Sequence, residues 1–579
     1  MRAHTLGALA VGLLLFAPIS FAQAPAIPQG AVQPGPPPRA QMPPRDGAPQ
    51  PATGTARIRG RVVSADTGTP LRRAQVRISA GDVRVNRTAS TDAEGMYEFA
   101  ELPAGRYNIF VTRSGFVSLQ FGQRRPFETG RPLDVGNAQI VEKIDFALPR
   151  GGVIAGRITD EVGEPLAGVR MQAMRYQYLP SGQRQLVPVG GLGMGITTND
   201  LGEFRLYSLM PGTYIVSAAP SDIGMMTMPG GLASAPTDGH GVTYYPGTIN
   251  VDEAQGITVG IAEVASAAFP LVPQRMTRIS GIVRDSQGKP LASNLMLRTQ
   301  SEGFMMMRSA TMADADGRFN LVNVPPGEHF IEVQPRPGSE ESASVPITSS
   351  GQDITDLIIT TSAGRTITGQ VIFEGAPAGQ PSFRVNVSSP DPGMAPLTRI
   401  YDNTQGVVDE KGRFQIRGVS GGRALFNVFP ATPGGGAQIW SVKSVTIDGE
   451  NVTDIPFDLS NARDDMKIDI VMTDKQTTIA GTAMNARGEQ VTDYTAVIFP
   501  AQLREGVVAA RYIRVVRPDQ QGRFQARGLP PGTYVAAAVD SLEQGEQFDP
   551  AFRKQLEPAA KRFTLTDGQT ATVDLALTP

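Results

Sequence analysis

The strongest constraint in this sequence is a three-part pattern that occurs five times from residue 56 onward. A chain of repeated units folds as a series of similar bodies rather than around one core. The first part reads Ile58-Gly60-Val62, Ile154-Gly156-Ile158, Ile279-Gly281-Val283, Ile367-Gly369-Val371 and Ile479-Gly481-Ala483. A spacing of two puts these three residues on one face of a strand. Glycine at the centre of that face predicts close approach of another backbone or a bulky ring. Gly/Pro turns follow at Asp66–Leu71, Glu161–Leu166 and Asp285–Leu291.

The second part is a polar turn, a glycine and an aromatic residue: Asp92-Ala-Glu-Gly95-Met-Tyr97, then Asn199 to Phe204, Asp314 to Phe319, Asp409 to Phe414 and Asp519 to Phe524. Asp or Asn bonds forward to the turn backbone, and Gly accepts a positive φ. The third part is Leu-Pro-x-Gly-x-Tyr or a variant, at 102–107, 209–214, 324–329, 419–424 and 529–534. Its glycine lies ten residues after that of the second part, as Gly95/Gly105, Gly202/Gly212, Gly317/Gly327, Gly412/Gly422 and Gly522/Gly532. This constant spacing predicts one rigid strand-turn-strand hairpin per repeat, with the ten glycines as turn residues. Each copy closes with an extended apolar run, such as Ile144-Phe146-Leu148.

The landmarks resemble those of the carboxypeptidase regulatory-like domain, a seven-stranded transthyretin-like (prealbumin-like) β-sandwich. Its signature of G-x-V, D-x-x-G-x-P-L, T-D-x-x-G-x-Y/F and L-P-x-G-x-Y is carried almost completely by residues 58–107 and closely by 154–214. The fourth copy departs most, with Ser420-Gly421 in place of the proline and Ala424 in place of the tyrosine. The resemblance implies an all-β chain of five tandem Greek-key sandwiches, prealbumin-like or immunoglobulin-like, over 56–149, 150–273, 274–362, 363–474 and 475–579. Each is long enough to bury its own core. In the family, such domains occur behind a zinc carboxypeptidase domain, which this chain lacks. Collagen-adhesin relatives carry an internal Lys isopeptide bond, but none of the five first strands holds a lysine.

Ahead of the repeats, Arg2 and His4 precede an apolar run from Leu6 to Ile19 and small residues at Ser20, Ala22 and Ala24. This reads as a cleaved export signal over 1–22, too short to span a bilayer. Residues 23–55, rich in Pro, Ala and Gln, read as an extended tether. Cys is absent, which excludes disulfides and lipidation of an N-terminal cysteine. With 53 basic and 55 acidic residues and no basic run, no nucleic-acid partner is expected. An exported chain in the periplasm, at the cell surface or outside the cell follows.

The reagents for catalysis are scarce. Only His4, His240 and His329 exist, and His4 leaves with the signal, so neither a zinc site nor an enzyme is expected and no cofactor is implied. His329 fills the slot of Tyr107, Tyr214 and Tyr534 and reads as packing. No nucleophile elbow is present, and Gly190-Gly191-Leu-Gly193-Met-Gly195 lacks the lysine of a phosphate loop. Asp314 and Asp316 approach a calcium loop, but the other copies vary there, so a structural turn is the reading. Methionines at Met225, Met226, Met228, Met305, Met306, Met307 and Met312 suit either Cu(I) or apolar packing.

Candidate binding residues are Tyr244, Tyr245, Trp440 and Phe121, aromatics in the variable stretches beyond the conserved turns. Their rings suit sugar or peptide faces and equally suit core packing. The functional expectation is a non-catalytic binding or scaffolding protein of the envelope. Carbohydrate leads as ligand class, because the resemblance places the fold among carbohydrate-binding sandwiches. Protein–protein adhesion, or service to a separate envelope enzyme or transporter, is the alternative, and copper binding comes third. The repeats are expected to hold partners along an extended rod.

Overall fold

The computed structural model describes residues 54–578, except 81–82, 84, 190–195, 221–237, 302–303, 335–340, 376–382, 391–405, 420, 432–439, 461–462, 464–465 and 505. The side chains of 238 and 300–309 are also outside the description. The export signal, the tether, Met225–Met228, the side chains of Met305–Met307 and the Gly190–Gly195 run therefore lie outside the described residues.

The first repeat sets the template. Its strands are β1 (Ala56–Ser64), β2 (Gln75–Ala80), β3 (Val85–Ser90), β4 (Met96–Leu102), β5 (Gly105–Thr112), β6 (Leu119–Gln120), β7 (Leu133–Val135), β8 (Ile140–Val141) and β9 (Phe146–Leu148). One sheet runs β4-β1-β8, with β9 also on β1; the other runs β3-β2-β5-β6, with β7 also on β5. Counted as interrupted single strands, β6 with β7 and β8 with β9 bring the total to seven, and the third repeat has seven continuous strands. Alternate residues of β1 point inward, so Ala56, Ile58 and Val62 are buried while Arg57 and Arg61 are exposed. Five larger apolar clusters of the described residues each fall within one repeat.

The closing strand runs parallel to the first strand in every repeat, so the sheet that the two share is mixed. The anticipated hairpin is instead a crossing between sheets. Strand β4 pairs with β1 and β5 with β2, and the equivalent pairings hold in all five repeats. A fixed distance between packed sheets, about 10 Å, explains the invariant spacing as well as a hairpin would.

The glycine pairs divide accordingly. Gly105, Gly212, Gly327, Gly422 and Gly532 are not the hairpin turn residues that the spacing suggested. Gly105, Gly212, Gly327 and Gly532 open the strands Gly105–Thr112, Gly212–Ala219, Gly327–Gln334 and Gly532–Val539, and Gly422 immediately precedes Arg423–Pro430. Gly327 and Gly422 have φ of 133° and 126°, a backbone open only to a residue without Cβ, which redirects the chain into the second sheet. The first glycine of each pair is a true turn residue. Gly95 has φ of 77°, its four counterparts lie between 72° and 78°, and Asp92 Oδ1 accepts from Glu94 N at 3.1 Å and Met96 N at 2.7 Å.

The glycine at the centre of the first strand marks a close approach. A Cβ on Gly60 would lie 1.9 Å from Ile144 O and 2.9 Å from the Tyr97 ring, whose hydroxyl donates to that same carbonyl at 2.7 Å. The closing strand passes this point in every repeat. The corresponding carbonyls belong to Ala267, Leu357, Ile468 and Val573.

A second left-handed position escaped the sequence reading. Residues 100 and 101 together oppose Arg57, so β4 carries a bulge, and Glu101 has φ of 58°. Ser208, Asn323, Gly418 and Gly528 hold the matching place with φ between 58° and 73°. Two repeats already use glycine there. Since an L-residue pays a steric penalty in this region, Glu101→Gly is expected to stabilise the first repeat by about 0.5–1 kcal/mol, read as a higher urea midpoint.

The tyrosine of the third part anchors the crossing. Tyr107 and Tyr534 donate to the carbonyls of Pro103 and Pro530 at 2.7 Å, and Tyr214 donates to Met210 O. His329 does the same: Nε2 lies 2.8 Å from Pro325 O, and Nδ1 3.0 Å from the Thr299 hydroxyl. The carbonyl requires a proton on Nε2. Tyr534→Phe should cost about 1 kcal/mol in chemical denaturation, because the ring still packs while the carbonyl loses its donor.

The second and fifth repeats bury both faces of one strand. Gly212–Ala219 and Gly532–Val539 are almost continuously buried from their tyrosines onward, whereas Phe110 on β5 is 37% exposed. A second cluster in the fifth repeat, with Phe499, Val535 and Leu556, brings in a short helix, α1 (Pro550–Leu556). Asp549 caps it by accepting from Ala551 N at 2.8 Å.

Candidate functional site

The aromatic candidates are packed. Tyr244 is 5% exposed and sits in a small cluster with Leu186, Ile215 and Val251. Tyr245 meets Phe269 edge-on at 5.8 Å. Trp440 is 8% exposed, stands edge-on to Phe373 at 5.1 Å, and introduces the added strand Ser441–Ile447 of the fourth repeat. That strand covers the closing strand Ile468–Thr473. Phe121 is half-buried against the first core, with the Arg131 guanidinium 5.4 Å from its ring centroid. In this geometry neither Tyr244 nor Trp440 offers a ring face to a ligand, because apolar neighbours already occupy it.

The same first-repeat loop reaches a site that the sequence reading missed. The Arg517 side chain, 3% exposed, is held in the fifth repeat by Asp493 at 2.6 Å and Thr495 at 3.2 Å. It crosses to the first repeat, donating to Glu128 Oε1 at 2.6 Å and to Gly122 O at 3.2 Å. The other carboxylate oxygen of Glu128, also 3% exposed, accepts from the backbone N–H groups of Arg124 and Arg125 at 2.9 and 3.1 Å. Arg124 pairs with Asp493, and Arg125 with Asp540. The backbones touch as well: Glu128 and Glu543 form an isolated bridge, and Gln544 N donates to Phe127 O at 3.0 Å.

The second repeat joins at Phe127. Its ring stands edge-on to Tyr214 at 6.5 Å, and the Arg175 guanidinium lies 3.4 Å from its centroid while pairing with Glu543 at 2.9 Å. Three repeats thus converge on Phe127 and Glu128. Contacts of this kind bring the fifth repeat back onto the first two, which corrects the expectation of an extended rod. Beside the junction is a cleft of about 630 Å³, lined by Arg106, Asp134 and Gln139 of the first repeat and by Gln520 and Gln521 of the fifth.

The fourth and fifth repeats meet at Asp454, which accepts from Arg511 at 3.1 Å and from the Tyr512 hydroxyl at 3.0 Å. Burial, reinforced by Asp454, pushes the Tyr512 hydroxyl up to about 12. His240 lies 3.3 Å from Glu161. Asp314 Oδ1 accepts from the backbone of Asp316 and Arg318 at 3.0 and 2.8 Å, a bond pattern common to the other four turns. Among the described residues, no three His, Cys, Asp or Glu side chains are placed to share a metal ion, and no helix is long and apolar enough to cross a membrane.

Against known families, the model of the carboxypeptidase regulatory-like domain matches residues 57–148. The first repeat belongs to that family. In the other four repeats the counterparts of β1 and β4, and of β2 and β5, pair as they do in the first. No curated protein matches the chain. Among solved structures, a streptococcal ancillary pilin is similar over 53% of this chain and 98% of its own, at 10% identity and a TM-score of 0.20. GBS52, the minor pilin of Streptococcus agalactiae, is similar over 38% and 95%, at 12% identity and 0.21. The Bacillus anthracis TIE protein is similar over 87% and 68%, at 10% identity and 0.13. At such scores these likenesses say nothing of the chain's role.

Proposed function

We propose that this chain is an exported, non-catalytic, multidomain binding or scaffolding protein of the cell envelope. One observation carries the reading: the polar landmarks of the repeats serve as internal bonds. The turn carboxylates and amide accept from their own backbone, and His329 is bonded on both ring nitrogens inside the third repeat. Catalysis needs an activated group facing a substrate, and these groups are committed to bonds within their own repeats. A protein partner is favoured, since Tyr244 and Trp440 are committed to packing.

Cross-linking in intact cells tests this. The expected result is a small set of envelope proteins joined through loops, with purified 23–579 inert towards hydrolase substrates. Turnover of any substrate, or no cross-linked partner, would sink the reading. N-terminal sequencing of the envelope fraction should begin at Gln23 or Pro25; a start at Met1 removes the cleaved signal.

A carbohydrate reading is favoured by the cleft, whose amides and Arg106–Asp134 pair suit hydroxyl groups. A glycan array with Arg106→Ala and Gln520→Ala as controls decides it, and equal silence from all three removes it. Copper at Met225, Met226 and Met228 is decided by Cu(I) titration.

A further inference from the structure

The contact of the fifth repeat with the first two joins bodies that own their cores. The clusters built on Ile58, Ile154 and Ile479 draw their buried members from single repeats. Parting the junction therefore leaves each sandwich folded. What spans it is mostly charge. The first two repeats present Arg124, Arg125, Arg175 and Glu128, and the fifth presents Asp493, Asp540, Glu543 and Arg517. Three of these pairs have at least one partner more than 40% exposed, so salt can weaken them. Interfaces of this polarity between folded domains behave like transient protein contacts. The contact is also heterologous, since the patch on the first two repeats differs from the patch on the fifth. Such a patch can be satisfied equally by the matching patch of another copy, and the resulting contact either closes reciprocally into a small ring or runs on as an open chain.

We propose that this junction is an exchangeable clasp, through which the fifth repeat engages either its own chain or the first two repeats of a second copy, linking copies end to end. Within one chain the patches see each other at an effective concentration on the order of millimolar, so exchange takes over where chains are crowded. The occupant is specified by charge: three arginines on one side require the acid-rich edge of a fifth repeat.

Two charge-reversed forms of residues 23–579 test this. One carries Arg125→Glu with Arg175→Glu, the other Asp540→Arg with Glu543→Arg. Alone, each sets like charges face to face and should remain monomeric, with a larger radius of gyration than the unmutated chain. Mixed, their patches are complementary only between copies, so light scattering should find a 1:1 complex. A mixture that stays monomeric overturns exchange. Radii that match the unmutated chain overturn the clasp itself. The unmutated chain supplies an arm free of folding effects: its radius of gyration should grow when salt rises from about 0.05 to 1 M. No growth also overturns the clasp.

Discussion

Gly60→Ala should destabilise the first repeat by about 3 kcal/mol or more, a large share of what a domain of this size has in reserve. The new methyl carbon would sit 1.9 Å from Ile144 O and 2.6 Å from its carbonyl carbon, with the Tyr97 ring 2.9 Å away. None of these can yield cheaply. Ile144 belongs to the closing stretch, Tyr97 is 4% exposed, and the tyrosine hydroxyl is bonded to the very carbonyl that must move. Gly136→Ala is the matched control, because its nearest neighbour is a side-chain oxygen at 3.4 Å. Urea unfolding that finds the two variants alike would refute the close-approach account of this glycine.

Arg517→Met is expected to cost the closed junction about 3–5 kcal/mol, the range for removing one partner of a buried ion pair. The charge left behind is Glu128, whose carboxylate would keep two backbone donors but lose its cation in a site 3% exposed. Adding Glu128→Leu should recover much of the loss, since two apolar groups replace a pair that was costly to desolvate. Thermal unfolding of the single and double variants separates the outcomes. Additive losses would mean that the two residues do not act on each other.

The sheet-forming logic was legible in the sequence because it is local. Ile58, Gly60 and Val62 announce their strand, and Asp92 with Gly95 announces its turn, through spacing alone. The crossing at Leu102–Gly105 was misread as a hairpin because both solutions hold two strands at a fixed separation, and only the partners of β4 and β5 distinguish them. The same ambiguity turned Gly327 and Gly422 into expected turn residues, although each stands where a strand of the second sheet begins. The bulge at Glu101 was invisible. Glutamate carries no signal for positive φ, although Gly418 and Gly528 at the matching places did. The double-sided strand at Tyr534–Val539 was legible in principle, since Val535, Ala537 and Val539 interrupt any polar alternation. The junction was not. Arg517 differs from the other basic residues only by what lies opposite it, 389 positions away in sequence.

Parallel pairing of the first and closing strands decides how a repeat meets a pull along the chain. The entry to β1 and the exit from β9 lie at opposite ends of one ladder. Tension applied through the neighbouring repeats therefore slides the two strands along each other, loading their backbone bonds together instead of peeling them singly. Forced unfolding is a matter of rate, set by the barrier to that collective slip. A sandwich of modest equilibrium stability can then act as a stiff mechanical element.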